Sequence, residues 1–128
     1  MEIDPRLAEE WDSLADRTRA VPWTRPAWVS AWWRAFGSGD LEILTAREES
    51  TDGPLGAVLP VARKGGRVSG VTNWHSPELP LVTCMPQGAL GLGQQLFRSA
   101  RSITLRSIPE RAVDSLRKAA AAAGYRLL

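Results

Sequence analysis

The sequence predicts a mixed α/β domain of α+β character, a central, mostly antiparallel sheet flanked by helices. Three observations predict it. Apolar residues recur at helical spacing through the first 36 residues. From Leu41 to Cys84 they gather instead into short runs divided by turn residues, with Gly65-Gly66 marking a hairpin. Beyond Gln87, helix-like and strand-like segments alternate, the pattern of crossover connections. The expected order is α-α-β-β-β-β-α-β-α-β. A length of 128 residues suits one domain.

Each element has its own signal. In the first helix Asp4 can cap, Pro5 sits where its missing N–H costs nothing, and Leu7, Trp11, Leu14 and Ala15 form one stripe. Val21-Pro22-Trp23 breaks it. Thr24 reads as the cap of a second helix over 25–36, with Trp28, Trp32 and Phe36 every four residues and Val29 and Trp33 widening the face. Gly37-Ser38-Gly39 ends it. Strands are expected over 41–47, 55–63, 68–74 and 79–84, with Pro60 requiring a bulge or an unpaired N–H. Residues 87–100 suit a helix and 103–108 a strand. Pro109 opens a last helix carrying Val113, Leu116, Ala120 and Ala123, closed by Gly124. Residues 125–128 then read as another apolar strand. A chain stopping inside a strand leaves an open edge, which reads as a fragment of a longer protein.

Composition narrows the function. One Cys excludes a disulfide scaffold or a Cys-rich zinc module, and one His excludes a multi-His metal site. No secretory signal opens the chain, and the longest uncharged run, 79–97, is too broken by Pro, Gly and Gln to span a membrane. A cytoplasmic location is the expectation. Residues 1–52 carry eleven acids and six bases, whereas residues 53–128 carry three acids and ten bases. The basic half suits anionic ligands. Its cations are scattered and not interleaved with exposed aromatics, so nucleic acid is not an expected partner.

Candidate chemistry concentrates in Asn73-Trp74-His75-Ser76-Pro77-Glu78, which packs amide, indole, imidazole, hydroxyl and carboxylate into one loop at a strand end. Such a loop suits ligand contact, or equally a capped turn. The Trp28, Trp32 and Trp33 set reads as core, as an interface or as a ligand-stacking face. Cys84 is a candidate nucleophile or a small buried hydrophobe. Tyr125 is a candidate general acid or a core aromatic. Gly88, Gly91 and Gly93 open a helix, either as an anion-binding turn or as a flexible connection, but their spacing fits neither GxGxxG nor the P-loop.

Four motifs in order carry a resemblance: Glu10-Trp11-Asp12-Ser13-Leu14, the Pro26-Ala27-Trp28 to Phe36-Gly37 helix, the strand Gly56-Ala57-Val58-Leu59-Pro60-Val61, and the 73–78 loop. Together with the order of elements and Gly124-Tyr125, they resemble the N-terminal half of the cellulose-biosynthesis-associated, CelD/BcsL-like acetyltransferases, FemAB-like relatives within the GNAT superfamily. The resemblance implies a GNAT-like fold and N-acyl transfer from an acyl-CoA-type donor, such as acetyl-CoA, or an aminoacyl donor, to a small-molecule amine in polysaccharide or cell-envelope metabolism. It further implies a second GNAT-like domain holding the donor, with this half inactive alone. The family's donor motif, R/Q-x-x-G-x-G/A, is not met, since Leu90 stands three residues after Gln87 where Gly is required. On this resemblance His75 and Glu78 are the candidate base or acceptor contacts, and Asn73, Trp74 and Trp32 the candidate substrate-binding residues. The other reading is a degenerate GNAT fold serving as a non-catalytic binding module.

Overall fold

The strand β2 (Leu55–Lys64) organises the sheet, because it is buried from Leu55 through Val61 and pairs along both edges. The computed structural model describes residues 3–49, 51–74 and 76–126. On one edge β1 (Asp40–Arg47) runs antiparallel, in unbroken register from Asp40↔Arg63 to Ala46↔Ala57, with an irregularity at Ala46/Arg47. The other edge is shared. β4 (Val82–Thr83) pairs with Ala57 and Val58, and β3 (Arg67–Gly70) pairs with residues 61–64. Pro60 falls in the gap between these two partners, where its lack of an N–H breaks no ladder bond. β5 (Ser102–Thr104) adds to β3 in parallel, so the five-stranded sheet is mixed.

Helices cover both faces, as the pleat dictates, because successive strand residues point to opposite sides. Ala57, Leu59 and Val61 face α3 (Pro86–Ser99) and α4 (Glu110–Ala122), meeting Ala89, Leu92, Leu96, Ala112 and Leu116. Val58 faces α1 (Pro5–Thr18) and α2 (Pro26–Phe36), meeting Trp11, Leu14 and Val29, and the irregularity at Ala46/Arg47, with Gly56 as the extra residue, turns Leu55 to that same side. Among the described residues no helix is long and apolar enough to cross a membrane.

Several expectations shift. Asp4 stands at the N-cap of α1 but makes no side-chain capping bond. Thr24 is not the cap of α2. It is buried in a 3₁₀ turn, Pro22–Thr24, with its hydroxyl on the Val21 carbonyl, and Arg25 precedes the helix. The fourth strand shrinks to two residues because Leu79, Pro80 and Leu81 are buried without laddering: Pro80 has no N–H, and the Leu79 N–H goes to the Ser107 carbonyl. The third strand stops at Gly70 and β5 at Thr104. Tyr125 and Arg126 form no strand, and the rest of the expected last strand, Leu127 and Leu128, lies outside the described residues.

An ion pair ties α1 to the sheet. Arg47 donates to both carboxylate oxygens of Glu10, at 2.6 and 3.1 Å. That hydrogen bond, with the guanidinium charge, holds the Glu10 carboxyl below its ordinary value of 4.5 against the opposing effect of desolvation. A depressed carboxyl stabilises the fold above its unfolded pKa, and that contribution is lost as pH falls through the folded pKa. Both side chains are partly exposed, so the effect is small. Glu10→Gln is expected to cost under about 1 kcal/mol at pH 7. Urea titrations should show the two proteins converging in stability once pH falls well below 4.5; a gap that persists in acid would mean that the charge is not its source.

Candidate functional site

The 73–78 loop leaves the end of β3 and is fastened to α2. The Trp32 indole N–H donates to the Ser76 hydroxyl at 3.1 Å. The same hydroxyl accepts the Asn73 backbone N–H at 3.3 Å and donates to Asn73 Oδ1 at 3.4 Å, while the Ser76 N–H donates to the Asn73 carbonyl at 2.9 Å. Three of the sequence-derived site residues, Trp32, Asn73 and Trp74, therefore sit on one tied structure, with Ser76 as its hub. Trp74 projects from it, 88% exposed. Glu78 is half-buried four residues further on, with no hydrogen bond or ion pair among the described residues. His75 lies outside the described residues.

The tryptophan stripe is core only in part, with Trp32 and Trp33 packed against the cluster of Trp11, Leu14 and Val29. Trp28 and Phe36 are exposed, Trp32 and Trp33 half-buried, and the residues α2 buries are Pro26 and Val29. Trp32 and Phe36 pack with ring centroids 5.5 Å apart. With Trp33, Thr72 and Arg106 they border a shallow cavity of about 160 Å³. It adjoins a larger depression of about 480 Å³ over β2, β3 and β5, the two sharing Ser38, Ala62, Ser69 and Thr104. No carboxylate lines either. The larger one carries Lys64, Arg67 and Arg101, so part of the basic excess of residues 53–128 gathers at the hairpin end of β3, away from the loop. Sequence reading missed Ser76 as the hub and this cationic groove. The visible signal was Lys64 and Arg67 flanking the two-glycine turn; Arg101 joins them only through the fold.

The remaining candidates take structural roles. The Cys84 thiol donates to Glu48 Oε1 at 3.0 Å, and burial, aided by that carboxylate, pushes its pKa up. A raised pKa suppresses the thiolate that nucleophilic chemistry requires. The Tyr125 hydroxyl donates to the Ala100 carbonyl, and its ring meets Phe97 edge-on at 4.9 Å, clamping the end of α4 to the end of α3. The glycines of α3 are neither an anion-binding turn nor a flexible connection. All three lie within the helix. A Cβ on Gly88 would stand 2.5 Å from the Thr83 hydroxyl and 2.9 Å from Ala57 Cβ, and one on Gly93 2.8 Å from Ala119 Cβ. Gly88 and Gly93 are sites of close packing, whereas a Cβ on Gly91 would meet only Ala46 Cβ at 3.6 Å. The Gly88 N–H is already taken by the Met85 carbonyl at 2.9 Å. Among the described residues no group of His, Cys, Asp and Glu could hold a metal ion. No protein-family model matches the sequence, and comparison with curated proteins and with solved structures finds no match to either.

Proposed function

We propose that the chain is a GNAT-like domain of an N-acyltransferase, supplying the acceptor side of the site and receiving the acyl group from an acyl-CoA-type donor held by a second GNAT-like domain. The observation that carries this reading is the Trp32–Ser76 hydrogen bond, which fixes the 73–78 loop beside an open groove. Ligand contacts concentrate on loops held by a rigid scaffold. The packing of Gly88 supports a donor site elsewhere, since Thr83 and Ala57 already fill the space that its missing side chain would leave for a close-lying pyrophosphate.

In such a transfer the amine nitrogen attacks the thioester carbonyl carbon, loses a proton to a base, and the thiolate leaves. Positioning and proton removal are what this domain would supply. Glu78 and His75 are the proposed base or acceptor contacts, Asn73 a polar contact, and Trp74 an apolar wall, with Trp32 as a further substrate contact.

Titration of the chain with primary amines, including an amino sugar, tests the reading through indole fluorescence. A saturable change that disappears in Trp74→Phe is expected. Trp32→Phe keeps the ring but removes the N–H that holds Ser76, and should weaken binding about fivefold, the worth of roughly one hydrogen bond. No response to any amine, or unaltered affinity in Trp32→Phe, would overturn it. A hexose without the amine that binds equally well would favour the non-catalytic binding module, the reading that the exposed Trp74 and Phe36 suit.

A further inference from the structure

The strand registers build a cationic surface on the face of the sheet that α1 and α2 leave open. In the β2–β3 hairpin Lys64 lies directly opposite Arg67, and in the parallel pair Arg67 lies beside Ser102. One step along the pleat, Ala62, Ser69 and Thr104 form a second row on the same face. Arg101 completes the first row from the hairpin side. Its backbone N–H donates to the Gly66 carbonyl at 2.8 Å, and its guanidinium lies against the bare Cα of Gly66, where a Cβ would meet Nε at 3.5 Å and Cζ at 3.6 Å.

Like charges placed directly across a hairpin repel. The partly buried arginines are paired, Arg25 with Asp12 and Asp16, Arg47 with Glu10, and Arg63, the residue before Lys64, with Glu42, whereas Lys64, Arg67 and Arg101 are exposed. Lys64, Arg67 and Arg101 have no such partner among the described residues; the Lys64 ammonium donates only to the Ser38 hydroxyl, at 3.3 Å. The hollow they border is about 480 Å³ and holds no carboxylate. That volume is in the range of small-ligand sites.

We propose that this surface binds the phosphate of a small, hydroxyl-rich phosphomonoester. The Lys64–Arg67–Arg101 cluster takes the dianion, whose three terminal oxygens match several charge-assisted donors. The ligand body lies along Ser69 and Thr104, whose hydroxyls both donate and accept, toward the cavity at Trp32 and Trp33. A lone carboxylate would leave two of the three cations unanswered. The site stands on the sheet registers and holds independently of acyl transfer.

Calorimetric titration of the chain with a hexose phosphate, inorganic phosphate and the parent hexose, all at matched ionic strength, tests it. The hexose phosphate should bind more tightly than inorganic phosphate, and the hexose alone should give no heat. Arg67→Gln and Arg101→Gln should each weaken binding about tenfold, the loss of one charge-assisted hydrogen bond. Arg6→Gln, at an exposed position of α1, should leave it unchanged. Without ligand, Arg67→Gln should melt no lower than the wild type, because it removes repulsion, whereas a purely structural role would lower the melting temperature. Absence of heat with both phosphates at millimolar concentration would overturn the proposal. So would equal weakening in Arg6→Gln, or duplex DNA binding more tightly than the hexose phosphate at the same salt.

Discussion

Trp11→Ala is expected to destabilise the protein by about 3–5 kcal/mol, the range for truncating a large buried aromatic. Trp11 is fully buried at the centre of the cluster between α1 and the sheet, with Leu14, Val29, Leu41 and Val58. Its indole N–H donates to the Thr24 carbonyl at 2.8 Å, so one side chain fills the core and holds the 3₁₀ turn that leads into α2. The substitution leaves a cavity and a buried carbonyl without that donor. Domains have only about 5–15 kcal/mol to lose, so the variant should be partly unfolded at mild temperatures. Urea titration should show a much lower midpoint with an unchanged slope. Trp11→Phe, which keeps most of the volume and loses the N–H, should cost about 1–2 kcal/mol and separate the two contributions. A loss below about 1 kcal/mol in Trp11→Ala would mean that the α1 face can collapse around the gap.

Trp11 was legible because its signal is local. It falls on the stripe with Leu14 and Ala15 that defines α1, and α1 forms where that stripe predicts. The β2–β3 hairpin was legible for the same reason, its turn falling on Gly65-Gly66. The tryptophans of α2 were legible only as a shared face, because helical spacing says which residues lie together, not how far that face is covered. α2 reaches the core through Val29, with Trp32 and Trp33 half-buried against the same cluster, and the sheet beyond them is open. Residues 79–84 misled in a related way, since an apolar run records burial and cannot record pairing. The site was legible in parts. Trp32 and the 73–78 loop each carried a chemical signal, but the Trp32–Ser76 bond spans 44 residues and needs the tertiary fold. The cationic rows were the least legible. Lys64 and Arg67 can be aligned from the hairpin alone, whereas Ser102 and Arg101 reach them through a parallel pairing that no local pattern encodes.

The same contrast between local and tertiary signals decides the glycines of α3, where two neighbouring substitutions should have opposite signs. Gly is about 0.8–1.0 kcal/mol worse than Ala inside a helix, so either Gly91→Ala or Gly93→Ala would stabilise an isolated α3 by that amount. At Gly91 the new Cβ would meet only Ala46 Cβ, at 3.6 Å, an ordinary contact, and Gly91→Ala should raise stability by up to about 1 kcal/mol. At Gly93 it would stand 2.8 Å from Ala119 Cβ and 3.3 Å from Leu116 Cδ2. Ala119 cannot rotate away, because its Cβ is fixed to the backbone of α4. The helices must separate, disturbing the contact of Leu92 and Leu96 with Leu116 and the sheet. Gly93→Ala should therefore lose more than helix propensity returns, and Gly93→Val should cost at least about 1–3 kcal/mol, the range for overpacking a filled core. A compensating change makes the argument exclusive. Ala119→Gly alone weakens α4 by about 1 kcal/mol, but combined with Gly93→Ala it moves the methyl group across the interface and removes the clash. A double-mutant cycle should show favourable coupling of about 0.5–3 kcal/mol, and thermal melts of the four proteins would measure it. Additive effects would mean that α3 and α4 slide apart freely, and the close approach at Gly93 would then no longer account for a glycine there.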